Sequence, residues 1–303
     1  MPRLLPMHIG MAEKAGTPLS WADLMQAVQW ADVIIIGEQH DDEMGHFFQQ
    51  AVVEDVLARW PRSAVSMEML ERDEQGLTDD YLEGIIDQAT FVRMTHSESW
   101  GGPDKKWDTW YQPMIDAAKN SPGARVVAAN APRRYVRLAR LEGYERLRAL
   151  PRERRAFFDL SFSPMDSPYR ERFIDLMMGM GDHSAGEKAD VQTPEQLRAR
   201  REQLKSSFRS QFLWDSTMAA SIARAKPSRD RKVVHMIGQF HSDFEGGTVR
   251  ELRARMPGVR ILNISMQRVG PQPLREDDIG RADVIVYTGE RPRREEPSEE
   301  QED

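Results

Sequence analysis

Two segments of the chain, far apart in sequence, share one pattern. Residues 34–40 and 234–241 are each an apolar, β-branched run that reaches a glycine and then a histidine three positions later. Such a run is typical of a buried strand, and we expect each glycine to let the backbone turn out of the sheet. The pattern therefore places His40 and His241 at the carboxyl ends of two strands, the edge at which α/β sheets bind ligands. Two imidazoles at that edge indicate a metal, haem or acid/base site.

Other apolar runs complete the predicted fold. Strands are predicted at residues 33–37, 64–69, 125–130, 233–238, 260–265 and 282–288, and helices at 44–60, 78–88, 112–119 and 133–141. Residues 144–226 contain no strand-like run, and their spacing predicts helices at 147–160, 169–180 and 194–225. We therefore predict an α/β fold with a mostly parallel central sheet flanked by helices, and with a helical insertion between the early and late strands.

The predicted organisation is a single α/β domain over residues 1–290, with the helical insertion at about residues 144–226. Residues 291–303 are charged, contain proline and lack apolar periodicity, so we predict a disordered tail. No apolar run is long enough for a membrane span, and no transmembrane segment is predicted.

Three charged residues are predicted at the same sheet edge as the histidines. Glu68 ends the second strand, and a carboxylate there needs a cation or a protonated histidine as partner unless it is solvated outside the core. Arg133 follows the third strand and is suited to clamping a carboxylate or to neutralising Glu68. Glu38 lies between Gly37 and His40.

Four more polar residues were considered for the same site. His235 lies inside a strand and is predicted to be a core histidine, whereas His46 either points into the crevice beside His40 or is unrelated to it. Asp215 either orients a site histidine through its second ring nitrogen or pairs with a surface arginine. His96 lies in a loop-like stretch and is predicted either to be solvated or to be brought to a ligand by a mobile lid.

Composition excludes several classes of function. The net charge of −7 argues against nonspecific nucleic-acid binding, which needs a basic face. No glycine-rich loop matches a phosphate-binding or dinucleotide-binding pattern. Because the chain has no cysteine, disulfides, thiolate metal ligands and cysteine nucleophiles are all excluded.

These motifs together resemble a known family. The phrases at residues 37–40, 66–69 and 238–241 resemble the GxxH, Glu and GxxH elements of the ChaN-like haem-uptake family. That family belongs to a superfamily with the Tiki and TraB proteins and, more distantly, the erythromycin esterases. Segments 107–113, 128–133 and 211–219 are similar to further family phrases and occur in the same order, so the resemblance runs from about residue 31 to residue 268.

The resemblance implies a bacterial protein that binds haem or iron, in iron uptake or haem handling. Haem is then the suspected cofactor, contacted by His40, Arg133, His241 and Tyr111. Tyr111 lies in an aromatic patch that either stacks on a flat macrocycle, with the phenolate as an iron ligand, or anchors a loop to the core. A small-molecule partner is expected, and a homodimer is left open.

Two enzyme readings stay open beside haem binding. In a Tiki-like hydrolase, His40, Glu68 and His241 hold a divalent metal ion, Glu38 activates its water, and Arg133 completes the catalytic set. In an esterase-like site, histidine acts as base without a metal. ChaN-like proteins are often envelope lipoproteins with a lipidated N-terminal cysteine, which this chain lacks. We therefore expect the cell envelope if a leader has been removed and the cytoplasm otherwise.

Overall fold

A mixed β-sheet lies at the centre of the computed structural model, which describes residues 1–11, 13–161, 166–183, 193–226 and 231–290. Its strands are β1 (Met7–Ile9), β2 (Pro18–Leu19), β3 (Val33–Glu38), β4 (Ala64–Glu71), β5 (Arg125–Asn130), β6 (Val233–Gly238), β7 (Ile261–Gln267) and β8 (Val284–Tyr287). They are ordered β2-β1-β8-β7-β3-β6-β4-β5. Strands β3 to β8 are parallel to one another, and β1 pairs antiparallel with both of its neighbours.

Helices connect these strands and cover the sheet. They are α1 (Trp21–Trp30), α2 (Glu43–Arg59), α3 (Gln75–Leu82), α4 (Gln88–Thr95), α5 (Trp107–Trp110), α6 (Gln112–Lys119), α7 (Arg133–Arg148), α8 (Arg152–Arg155), α9 (Pro168–His183), α10 (Pro194–Ala225) and α11 (Gly247–Arg255). Short 3-10 turns at Ser97–Gly101 and Gln239–His241 also contribute to the site described below. None of the helices in the described part of the chain combines the length and apolarity that a membrane crossing requires.

The sheet is buried on both faces because alternate residues of its strands point to opposite sides. Ile34 and Ile36 of β3 belong to a core shared with α2 and α6, on one face. Val33 and Ile35 belong to a second core with α10 and α11, on the other. This burial explains why the strands read as continuous apolar runs, and the predicted α/β fold with its mostly parallel sheet is confirmed.

The helical insertion is also confirmed, with differences in detail. The described residues between 144 and 226 form helices and no strand. The predicted helix at 147–160 is wrong, because α7 ends at Arg148 and only the short helix α8 follows, preceded by Pro151. The predicted helix at 78–88 ends early, at Leu82, before Gly84 with its positive φ of 77°. The predicted disordered tail, 291–303, lies outside the described residues.

The outermost strands of the sheet have few free backbone groups. At the β5 edge, the side-chain amide of Gln75 donates to the carbonyl of Val126 and accepts from the N–H of Ala128, both at 2.9 Å. Gln75 thus takes the place that a neighbouring strand would have. At the other edge, β2 is only two residues long and includes Pro18, which has no N–H to donate. Neither β1 nor β2 was predicted, because runs this short carry no periodic signal.

Candidate functional site

Three adjacent strands deliver the predicted site residues to one edge of the sheet. Strand β6 lies between β3 and β4. His40 follows the end of β3, and His241 closes the 3-10 turn after β6. Glu68 lies in β4 just beyond its last pairing with β6, where the register with β5 also shifts. The two histidines and Glu68 therefore meet at the carboxyl edge, as the sequence pattern predicts.

The glycines of the two repeated phrases allow this close approach. A Cβ atom at Gly238 would lie 3.1 Å from Nε2 of His40 and 3.5 Å from Oε2 of Glu68. A Cβ atom at Gly37 would lie 2.6 Å from Oγ of Ser242. Neither glycine has a positive φ. The expectation that the glycine turns the backbone out of the sheet is wrong for Gly37, which lies inside β3. At Gly238 the chain does leave β6 for a 3-10 turn, with an ordinary φ of −58°. Each glycine is therefore required for space rather than for a left-handed conformation.

His40 is held by a buried carboxylate from its own strand. Its Nδ1 donates to Oε1 of Glu38 at 2.8 Å. The same oxygen accepts from the hydroxyl of Tyr111 at 2.6 Å, and Oε2 accepts from the amide of Gln49 at 2.5 Å. Glu38 is fully buried, whereas the side chain of His40 is 45% exposed. Glu38 therefore fixes the Nδ1 side of the His40 ring, while Nε2 makes no hydrogen bond with any described residue.

The nearby charges shift the ionisation of this pair. Burial opposes the charge on His40, but the hydrogen bond and negative charge of Glu38 prevail and raise the His40 pKa to about 9. Burial likewise opposes ionisation of Glu38, while the positive charges of His46 and His40 lower its pKa overall. At neutral pH the pair is therefore an imidazolium beside a carboxylate.

His46 contacts this pair from the buried side and does not line the cleft described below. It is fully buried, and its ring stacks on Trp110 with centroids 4.7 Å apart. Its Nε2 donates to the carbonyl of His40 at 3.2 Å, and its Nδ1 lies 3.1 Å from the amide oxygen of Gln49. Both nitrogens thus face acceptor oxygens, and Nδ1 also lies 3.8 Å from Oε2 of Glu38.

His241 repeats the arrangement with residues from the helical insertion. Its Nδ1 donates to Oδ1 of Asp215, in α10, at 2.8 Å. The same carboxylate accepts from Thr248 and from the hydroxyl of Tyr169, each at 2.8 Å. Asp215 is fully buried and the side chain of His241 is 9% exposed. Burial opposes protonation of His241, but the charges of Asp215 and Glu68 raise its pKa overall.

Glu68 joins the two histidine pairs. Its Oε2 accepts the backbone N–H of Gly238 at 2.6 Å, and its Oε1 lies 3.5 Å from Nε2 of His241. A cation or a protonated histidine was predicted as the partner of this carboxylate. The structure gives a histidine, and a peptide N–H as a second partner. His235 lies below, fully buried between strands, with Nδ1 bonded to Ser66 at 2.9 Å, which agrees with its predicted place in the core.

A cleft of about 910 Å³ opens beside this cluster. Glu68 and Gln211 line it on the side of the histidines, together with Asn130. Its other walls include three arginines, three aromatic side chains, a histidine and a thioether: Arg133, Arg137, Arg140, Trp100, Trp214, Phe173, His96 and Met177. Two further carboxylates, Glu71 and Glu74, and several hydroxyl groups also line it. The volume falls in the range of about 300–1,000 Å³ that is typical of small-molecule sites.

Arg133 and Tyr111 lie in contrasting positions. Arg133 is 68% exposed in the cleft, where its Nε lies 3.5 Å from Glu71 and its guanidinium 5.9 Å from the ring of Trp100. It therefore pairs with Glu71 and not with Glu68. Tyr111 is fully buried, and burial together with the charge of Glu38 raises its pKa well above the ordinary value. A phenolate ligand there would require the bond to Glu38 to break.

The proposed metal set, His40, Glu68 and His241, is brought to one sheet edge, with Nδ1 of each histidine and Oε2 of Glu68 already hydrogen-bonded to protein groups. Within the described ranges, no group of three or more histidine, aspartate or glutamate side chains has the arrangement to hold a metal ion. The sequence analysis missed Tyr169, Thr248 and Gln49. They carry no local motif, and only Asp215, as a residue that could orient a site histidine, pointed to that part of the site.

Comparisons with known proteins identify a family and a solved structure with a similar fold. The family model described as haem-binding uptake, Tiki superfamily, ChaN matches residues 24–252. The structure is similar to that of ChaN of Campylobacter jejuni, solved with cofacially bound haem. The TM-score is 0.64 at 16% identity, over 93% of this chain and 96% of that one. No protein with a curated description matches the sequence significantly.

Two weaker similarities also occur. A mutant of erythromycin esterase EreC in its open conformation gives a TM-score of 0.44 at 12% identity, over 88% of this chain and 78% of that one. The type III effector HopBA1 gives 0.45 at 13% identity, over 88% and 92%. At these TM-scores, neither similarity bears on function.

Proposed function

Because the chain belongs to the ChaN family of haem-binding uptake proteins in the Tiki superfamily, we propose that it binds haem in the cleft and acts in iron uptake or haem handling. The observation that carries the proposal is the composition of the cleft. Haem is a flat apolar macrocycle with two carboxylates on one edge. The cleft offers aromatic surface from Trp100, Trp214 and Phe173, and a row of cations from α7.

The row of cations suits the carboxylates of such a ligand. Arg133, Arg137 and Arg140 lie at positions i, i+4 and i+7 of α7, hence on one helix face, and all are exposed. Within the described part of the chain, Arg137 and Arg140 form no ion pair. Guanidinium groups bind carboxylates through paired, charge-assisted hydrogen bonds. We assign these three arginines to the ligand's carboxylates.

Titration of the purified protein with ferric haem tests the proposal. We expect a shifted, saturable Soret band, and an affinity at least tenfold lower in an Arg137→Ala, Arg140→Ala double variant, equivalent to about 1.4 kcal/mol. Arg146→Ala is the matched control, because Arg146 lies outside the cleft, beyond the kink at Gly143 of α7, and pairs with Glu142 at 3.4 Å. Absence of a saturable Soret change in the unmodified protein would refute haem binding.

A second candidate, acid/base hydrolysis without a metal, is favoured by one observation. Each histidine is oriented through Nδ1 by a buried carboxylate, the arrangement that positions histidine for proton transfer. With a pKa near 9, His40 is suited to donating a proton at neutral pH. Hydrolysis of an activated ester that is lost in His40→Gln and unaffected by a chelator would support this candidate. Loss of hydrolysis with the chelator would instead support the metal-dependent reading.

A further inference from the structure

We propose that His96 is the protein ligand to iron in the cleft, an inference that rests on the proposed haem function and names the residue that would hold the metal. His96 follows α4 and precedes the Ser97–Gly101 turn. Its exposed side chain lines the cleft together with Trp100 and the arginines of α7. Imidazole is the commonest protein ligand to haem iron and binds through an unprotonated ring nitrogen.

The other groups in the cleft that are able to ligate iron are already engaged. Glu68 accepts the N–H of Gly238 at 2.6 Å, and Glu74 accepts the N–H of Glu71 at 2.6 Å. Glu71 in turn faces Arg133. Ligation by any of these carboxylates would remove a contact that the fold uses. Met69 also lines the cleft, but it is 2% exposed.

His96, in contrast, is free to bind. Its imidazole makes no hydrogen bond or ion pair with any described residue. Met177 is the remaining candidate, but it packs against the aromatic cluster of Phe173 and Phe208, where a thioether fills space well. Among the described residues lining the cleft, His96 therefore offers the most available iron ligand.

The backbone at His96 gives independent support. It has φ 51° and ψ 24°, in the left-handed region where glycine is favoured and a larger residue is strained. A side chain retained in a strained conformation at the wall of a cleft is typical of a functional position. Because glycine fits this backbone region at lower cost, replacing the imidazole there should leave the fold intact.

The residues on either side hold this imidazole on a rigid base. Thr95 and Ser97 are buried, and their hydroxyls bond to each other at 2.9 Å. Thr95 also bonds to the carbonyl of Phe91 at 2.9 Å. Because both neighbours are fixed in the core, the ring of His96 is constrained to the cleft side. Such support is what a ligand residue needs to bind metal without losing much conformational freedom.

The test uses His96→Gly, which removes the ligand while relieving the backbone strain. The variant should fold at least as stably as the parent, so a binding defect cannot arise from unfolding. We expect its affinity for ferric haem to fall at least tenfold and its absorption and electron paramagnetic resonance spectra to change. Added free imidazole should restore the parent spectrum by occupying the vacated position.

Lys105→Gly is the matched control. Lys105 has φ 53°, lies in the loop that follows the same turn, and does not line the cleft. It should keep the parent affinity and spectrum. Parent affinity and spectrum in His96→Gly would overturn the inference while leaving haem binding intact, and so would a loss that Lys105→Gly shares or that imidazole does not restore. If the unmodified protein binds no haem, both proposals fail.

Discussion

His40 and His241 each donate from Nδ1 to a buried carboxylate, and each carboxylate also accepts from one tyrosine hydroxyl. The origins of the two carboxylates differ. Glu38 lies two residues from His40 on the same strand, whereas Asp215 comes from α10, in the helical insertion. The exposure of the rings also differs, at 45% and 9% of the side chain. We call Glu38–His40 the open pair, because it is local and its histidine is exposed. We call Asp215–His241 the closed pair, because it is assembled from distant segments and its histidine is buried.

The difference indicates how much each pair contributes to the stability of the fold. The His241 pair joins β6, α10 and α11, because Asp215 also accepts from Thr248 at the start of α11. The His40 pair adds only a link from β3 to α2 and to Tyr111. We therefore expect the closed pair to contribute more to stability and the open pair to contribute more to chemistry in the cleft.

Asp215→Ala should have the largest effect. It leaves His241, Tyr169 and Thr248 with buried donors and no acceptor, so we expect the free energy of unfolding to fall by about 3–5 kcal/mol in urea denaturation. Asp175→Ala, at an exposed carboxylate of α9, should cost less than about 0.5 kcal/mol. A loss below about 1 kcal/mol for Asp215→Ala would mean that the closed pair does not hold the insertion.

Comparison of His241→Ala with His40→Ala separates the two pairs directly. The first variant leaves Asp215 and Glu68 buried near each other without their shared partner, and we expect a loss of about 2–3 kcal/mol. The second leaves Glu38 with two remaining donors and should cost less than about 1 kcal/mol. Thermal and urea denaturation measure both. Equal losses would show that exposure is the wrong guide to their roles.

The sequence located the two residues of the open pair better than those of the closed pair, although it did not predict that Glu38 orients His40. Glu38, His40 and the strand that carries them are contiguous, so the local pattern of apolar residues and glycine contains the information. The partner of His241 depends on how a helix of the insertion packs on the sheet. Spacing could suggest Asp215 as an orienting residue but could not select Tyr169 or Thr248.

The same reasoning applies to the rest of the fold. The six parallel strands were predictable because burial on both faces demands continuous apolar runs. Strands β1 and β2 were not, since both are very short and are held by tertiary contacts, β1 with β8 and β2 with β1. The role of Gly37 was misread because close approach by the turn after β6 is invisible in sequence.

Alanine at the two glycines should give unequal results. At Gly37 the new methyl group would meet Oγ of Ser242 at 2.6 Å and the Cα atom of Gln239 at 3.0 Å, so backbone must move and we expect a loss of about 1–3 kcal/mol. At Gly238 it would meet only the ends of the His40 and Glu68 side chains, and half-exposed His40 can yield. We expect less than about 1 kcal/mol there, but weaker ligand binding, measured by haem titration.

The smallest expected effect is a pH dependence from the open pair. The pKa of His40 is about 9 in the folded chain against 6.5 ordinarily, so its contribution to stability is complete below pH 6.5 and is lost as pH rises through 9. The stability difference between the parent and His40→Gln should therefore shrink between pH 6.5 and 9.5 in urea denaturation. Glu38→Gln should abolish this trend, and a difference that grows with pH would contradict the pairing.

The side chain of Gln75 has a consequence for behaviour at high concentration. By binding Val126 and Ala128 it blocks the β5 edge, while the shortness of β2 and its Pro18 limit the other. Unblocked edges are templates for strand addition and for fibrillar aggregation. In a crowded solution, neighbouring molecules would find little backbone to pair with, so we expect association between copies to proceed through helix-covered surfaces and not by extension of the sheet.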